Sequence, residues 1–63
     1  MTPYEERWAE AVAVQRQHGN AALVFIAERI GALALEGDLA GVRRWKEIAA
    51  RFDALNAAVS VPH

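Results

Sequence analysis

The sequence predicts an all-α fold, and three observations support this prediction. Apolar residues recur at the three- and four-residue spacing of helices, and no stretch shows the alternation of a half-buried strand. Residues that favour helix N-caps stand at Thr2, Asn20 and Asp38, and glycines suited to ending a helix stand at Gly19 and Gly37. We therefore expect three antiparallel helices, at about 3–18, 20–36 and 39–57, joined by one- to two-residue turns of Gly, Asn or Asp.

The first helix is predicted from its start signal. The Thr2 side chain can cap the helix, Pro3 suits its first position, and Glu5 completes a capping box. Gly19 is expected to end the helix, because glycine adopts a left-handed conformation cheaply. The apolar side of this helix contains Tyr4, Trp8, Ala11 and Val12.

The second helix is expected to be the most surrounded of the three, because it is apolar on more than one side. Its main apolar stripe contains Leu23, Ile26, Ala27, Ile30, Leu33 and Ala34, while Val24, Phe25 and Leu35 lie off this stripe. Gly31 in the middle of the helix costs up to about 1 kcal/mol relative to alanine. We expect a close approach of another backbone to offset that cost.

The third helix has the clearest amphipathic pattern. Its stripe contains Val42, Trp45, Ile48, Ala49, Phe52 and Leu55, with Val59 beyond. Asp38 can cap its start, and Glu47 and Arg51 stand at the spacing of a favourable ion pair. Residues 60–63 are expected to fray.

Composition limits the function classes. The 63 residues form at most one domain, spanning 1–63, and a domain of this size buries only about 60% of its unfolded surface. Cysteine is absent, so a disulfide framework is excluded, and good helix packing or oligomerisation is the expected source of added stability. The net charge of −1 gives no general attraction to nucleic acid or to acidic membranes.

No segment is apolar for the roughly 20 residues that span a bilayer, and the opening residues do not resemble a signal peptide. We therefore expect a cytoplasmic protein.

No catalytic chemistry is indicated by the residues. The sequence has no phosphate loop, nucleophile elbow or metal signature, so we predict no enzyme activity, no cofactor and no metal site. His18 lies in the last predicted turn of the first helix, where the helix dipole explains a histidine. The same dipole explains Glu5, Glu6 and Glu10 near the start of that helix.

Two functions follow as hypotheses. The first is a non-enzymatic helical interaction protein that self-associates as a homodimer or binds a protein partner. Its contact surface would be Phe25, Arg29 and Ala32, which also fit a solvated helix edge. The alternative is a small nucleic-acid-binding regulator that uses the basic face of the third helix, although the solvated outer side of an amphipathic helix explains those charges better. The basic residues of that helix are Arg43, Arg44, Lys46 and Arg51.

A short internal similarity relates the first and third helices. The segment Arg7-Trp8-Ala9-Glu10 parallels Arg44-Trp45-Lys46-Glu47, 37 residues later. The spacing is close to that of helical-hairpin repeats, but the chain holds fewer than two such units. Common helix composition is the other explanation.

The pattern along the chain also resembles a family of short uncharacterised bacterial proteins. The segments that carry the resemblance are Glu6–Ala11, His18-Gly19, Phe25–Ala34, Gly37-Asp38, Gly41 and Trp45–Ala49. They extend over about Tyr4 to Leu55. The resemblance implies a compact helical protein without an assigned activity, partner or cofactor, so it transfers no functional residue.

Overall fold

Helices form almost all of the protein in a computed structural model, which describes the backbone of residues 1–59 and the side chains of residues 1–57. The elements are α1 (Pro3–His18), a 3-10 turn (Gly19–Ala21), α2 (Ala22–Leu35) and α3 (Leu39–Val59). The predicted all-α class is confirmed, and residues 1–59 contain no strand. The expected fraying of 60–63 and the expected packing of the Val59 side chain lie outside the described residues.

Three separate antiparallel helices are not confirmed. Helical residues continue without a gap from Pro3 to Leu35, so the described chain consists of two helical stretches separated at residues 36–38. The reason lies at Gly19, whose positive φ of 51° redirects the backbone while the next residues continue as a 3-10 turn. Asn20 lies inside this turn and no side chain caps α2 at Ala21, so the predicted Asn20 cap is wrong.

The start of α1 follows the prediction. The Glu5 amide donates to Thr2 Oγ1 at 3.1 Å, and the Thr2 amide donates to Glu5 Oε1 at 2.9 Å. Both halves of the capping box are therefore formed. The hydrogen bond from the Thr2 backbone, together with that from its side chain, lowers the pKa of Glu5.

The break between α2 and α3 combines a helix end with a helix start. The Asp38 amide donates to the Leu33 carbonyl at 2.9 Å and the Gly37 amide to the Ala34 carbonyl at 3.1 Å, which is the Schellman pattern. Gly37 has a φ of 76°, the left-handed conformation that this motif requires. Asp38 then caps α3, because the Gly41 amide donates to its Oδ1 at 2.8 Å.

The core lies where α3 packs against both preceding helices. The buried cluster joins Ala11 and Val14 of α1, Ala22 and Ile26 of α2, and Ile48 and Phe52 of α3. α3 contacts α1 and α2 about equally, while the direct contact between α1 and α2 is small. The most surrounded helix is therefore α3, and the expectation that α2 would hold this position is wrong.

Much of α2 faces solvent. Only Ala22, Ile26 and Leu33 are buried in this helix, while Leu23 and Val24 are each 59% exposed and Leu35 is 91% exposed. Ala27 and Ala34 of the predicted stripe are also exposed. The physical reason is that α2 has one partner helix rather than two, so only one of its apolar sides is covered within the chain.

Replacing Ile48 tests whether one side chain holds the core. Ile48 is fully buried, so Ile48→Ala leaves a cavity where the three helices meet and should cost about 2–5 kcal/mol. Urea unfolding followed by circular dichroism measures this loss. Ile48→Val should cost only about 1 kcal/mol, and equal losses for the two variants would contradict a cavity effect.

Two glycine positions should respond oppositely to alanine. A Cβ at Gly41 would lie 2.6 Å from Asp38 Oδ2 and 3.1 Å from Leu33 Cδ2, so Gly41→Ala should displace the Asp38 cap and cost about 1 kcal/mol. A Cβ at Gly31 meets nothing within 4 Å, so Gly31→Ala should gain up to about 1 kcal/mol of helix stability. Thermal unfolding of both variants measures the difference, and a stabilising Gly41→Ala would contradict the steric account.

Candidate functional site

The two similar segments of the sequence bind each other across the α1–α3 interface. Arg7 Nε donates to Glu47 Oε1 at 3.1 Å, and Arg44 Nε donates to Glu10 Oε2 at 3.1 Å. Each arginine therefore reaches the glutamate of the other segment. A further bond from Arg7 Nη1 to Glu10 Oε1 at 2.8 Å connects the two pairs. We call these four residues the Arg–Glu quartet.

Partial burial strengthens the inner half of the quartet. The side chains of Arg7 and Glu10 are 17% and 27% exposed, whereas those of Arg44 and Glu47 are about half exposed. Burial alone raises the pKa of Glu10, but hydrogen bonds and charge from Arg44 and Arg7 outweigh it, and the net pKa is lowered. The hydrogen bond to Glu10 in turn raises the pKa of Arg44.

The quartet replaces one predicted ion pair. Glu47 was expected to pair with Arg51 along α3, but its carboxylate binds Arg7 instead. The Arg51 guanidinium donates to the Glu47 backbone carbonyl at 3.4 Å and lies 5.4 Å from the centre of the Tyr4 ring. The expected Glu47–Arg51 ion pair is therefore wrong for the described residues, because a cross-helix partner competes successfully for the carboxylate.

A chain of aromatic contacts occupies two of the three predicted interface residues. Phe25 stacks on His18 with ring centroids 3.9 Å apart and meets Trp45 edge-on at 5.6 Å. Arg29 lies over the Trp45 ring, with its guanidinium carbon 5.9 Å from the ring centre. Phe25 is half-buried by these contacts, whereas Ala32 is exposed. An interface formed by Phe25, Arg29 and Ala32 stays a prediction.

The exposed apolar residues of α2 form a second surface that the sequence analysis placed inside the molecule. At 100° per residue they cover one continuous arc opposite the buried side of the helix. We define this outer face of α2 as Leu23, Val24, Ala27, Gly31, Ala34 and Leu35. The available signal was the heptad-like spacing of Val24, Ala27, Gly31 and Ala34, which is typical of a helix–helix seam.

Two shallow grooves lie on the surface of the described residues. One shallow groove between α1 and α3 is lined by Tyr4, Trp8, Ala50, Arg51 and Ala54, and another lies along the exposed side of α1. Neither groove joins a nucleophile to a base. Residues 1–59 contain no group of three side chains placed to hold a metal ion, and none of their helices is long and apolar enough to cross a membrane.

The Arg–Glu quartet predicts a specific pH dependence of stability. Because the pKa of Glu10 is lowered by folding, its stabilising effect is complete above the ordinary glutamate pKa of about 4.3 and is lost as pH falls through the lower folded value. Glu10→Gln should therefore destabilise the protein by up to about 1 kcal/mol at pH 7 and by less at pH 3. Urea unfolding at both pH values measures the two differences. Glu6→Gln removes the same charge from a more exposed position and should have little effect; a pH-independent loss in Glu10→Gln would contradict the ion-pair account.

The comparisons with known proteins give a family but no activity. No curated protein and no solved structure matches the chain. The profile described as "Family of unknown function (DUF6961)" matches residues 4–60, which is most of the sequence. This match confirms the resemblance to a family without an assigned activity. The chain belongs to this family of unknown function, DUF6961.

Proposed function

We propose that this protein is a small, non-enzymatic helical interaction protein that self-associates. The observation that supports the proposal is the outer face of α2, a continuous apolar surface in a chain with very little core. Soluble monomers rarely expose contiguous apolar patches larger than a few hundred Å², and larger patches mark interaction sites. A second copy of the chain is the simplest partner, because it is always present at the concentration of the first.

The size of the core supports the same proposal. Among residues 1–57, seven hydrophobic residues are buried, and only Ile26 and Ile48 are large side chains with almost no exposure. Two of the seven, Ala11 and Ala22, contribute little apolar area. A domain with so small a core has a narrow margin of stability, and burial between subunits adds to it.

The exposed leucines indicate how much burial is available. Full burial of a leucine or valine side chain contributes about 1.5–3 kcal/mol. Leu23 and Val24 each retain 59% of their exposure and Leu35 retains 91%, so each copy has roughly two side-chain equivalents to bury. Two copies together therefore offer a gross gain of about 6–12 kcal/mol, which is comparable with the cost of association. This balance favours a reversible dimer.

Nucleic-acid binding through α3 is the weaker alternative. Arg44 is held by Glu10, and Arg51 is engaged with the Glu47 carbonyl and the Tyr4 ring. Two of the four basic residues proposed for that function therefore have partners within the chain.

A cytoplasmic location also stays a proposal.

Sedimentation of the wild type and one charged variant tests self-association. The wild-type protein should show a concentration-dependent shift from monomer to dimer in the micromolar range. Leu35→Glu places a charge on the outer face of α2, at one end of the proposed contact, while costing the monomer little because Leu35 is 91% exposed. It should weaken the dimer at least tenfold.

Ala13→Glu is the matched control, because it adds the same charge at an exposed position of α1, in a groove lined by residues of α1 alone. It should leave the association constant unchanged. A wild-type protein that remains monomeric up to several hundred micromolar would exclude the proposed function.

A further inference from the structure

We infer that the outer face of α2 binds the same face of a second copy, with the two α2 helices antiparallel about a two-fold axis. The inference rests on the proposed self-association and adds the contact surface and the orientation. Most homodimers have two-fold symmetry, and such an interface must be complementary to itself. The outer face of α2 meets this requirement in its sequence.

Self-complementarity is visible in the order of large and small residues. We call the residues at the middle of this face the seam. It contains one large and three small residues, in the order Val24, Ala27, Gly31 and Ala34. Antiparallel alignment about the level of residue 29 places Val24 opposite the second copy's Ala34 and Ala27 opposite its Gly31. Leu23 and the second copy's Leu35 then flank the same end of the seam, one on each side of it. Each bulky residue meets a small one along the seam, and the leucines cover both ends.

The small residues allow the two helices to approach closely. A Cβ built at Gly31 meets no atom within 4 Å, so nothing inside the chain uses the space that this glycine leaves. The distance between packed helices depends on the side chains at their contact, and alanine and glycine bring it to the lower end of the range of 8–10 Å. The spacing of three, four and three residues along the seam favours a shallow crossing of about 20°.

The contact area that α2 can provide limits the expected affinity of the dimer. α2 has 14 residues and is therefore about 21 Å long. Contact along one helix of this length covers less than the roughly 800 Å² per partner of a standard stable interface. Micromolar rather than nanomolar dissociation constants are expected.

Disulfide trapping tests the orientation directly, because the native sequence contains no cysteine. Val24→Cys and Ala34→Cys are prepared as separate proteins, since both positions are exposed and their substitution should leave the fold intact. Antiparallel pairing brings residue 24 of one copy to residue 34 of the other. Like residues are then about 15 Å apart along the axis, which exceeds the Cα separation that a disulfide allows.

Oxidation of the mixed proteins should therefore give the 24–34 disulfide, identified by mass spectrometry, while each protein alone should remain mostly unlinked. Disulfides between like residues, 24–24 and 34–34, without any 24–34 disulfide in the mixture would establish a parallel pair and overturn the inference, although self-association would stand. Ala13→Cys serves as the control for random collision, and equal linkage of this variant would also overturn the inference.

A measurement without cysteine variants tests whether the outer face of α2 forms the contact, independently of how the two helices are oriented. Gly31→Leu fills the space between the two helices and should raise the dissociation constant at least tenfold in sedimentation. Gly31→Ala should change it less than threefold. A dimer that tolerates Gly31→Leu would show that another face is used, and a monomeric wild type would instead exclude self-association itself.

Discussion

The packing of Ile48 between the other two helices is the contact on which the rest of the structure depends. Ile48 is fully buried, and its neighbours in the core come from all three helical segments. α1 and α2 contact each other little beyond the turn that joins them, so their relative position is fixed mainly through α3. A chain of this size has no second core that could compensate for the loss of this one.

The Arg–Glu quartet sets the register in which α3 meets α1. Apolar contacts alone tolerate sliding along a helix, since alanine is frequent on both surfaces. The reciprocal bonds from Arg7 to Glu47 and from Arg44 to Glu10 are possible only at one register. The short sequence similarity between the two segments thus has a physical counterpart, because similar segments on helices that run in opposite directions can satisfy each other.

Features that depend on adjacent residues could be predicted from the sequence, whereas contacts between residues distant in sequence could not. The Thr2 capping box and the Asp38 cap follow from a few adjacent residues, and both are formed. The stripe of α3 was also predictable, with Ile48 and Phe52 buried and Trp45 partly buried. The continuation through Gly19 was not, because the same glycine conformation can end a helix or redirect it. Glu47 binds Arg7, which is 40 residues away in sequence, although helix spacing predicted that it would pair with Arg51.

The wrong expectation that α2 is the most surrounded helix is the one that bears most on function. An all-round apolar helix indicates burial on several sides, but the pattern does not specify whether the covering surface belongs to the same chain. Within the chain α2 is covered chiefly by α3, and the side with Leu35 at 91% exposure remains open. The same residues that made α2 look like a central helix therefore make it a candidate for contact between chains. The close approach of another backbone that was expected at Gly31 is not found inside the chain, so nothing there offsets the cost of this glycine to the helix.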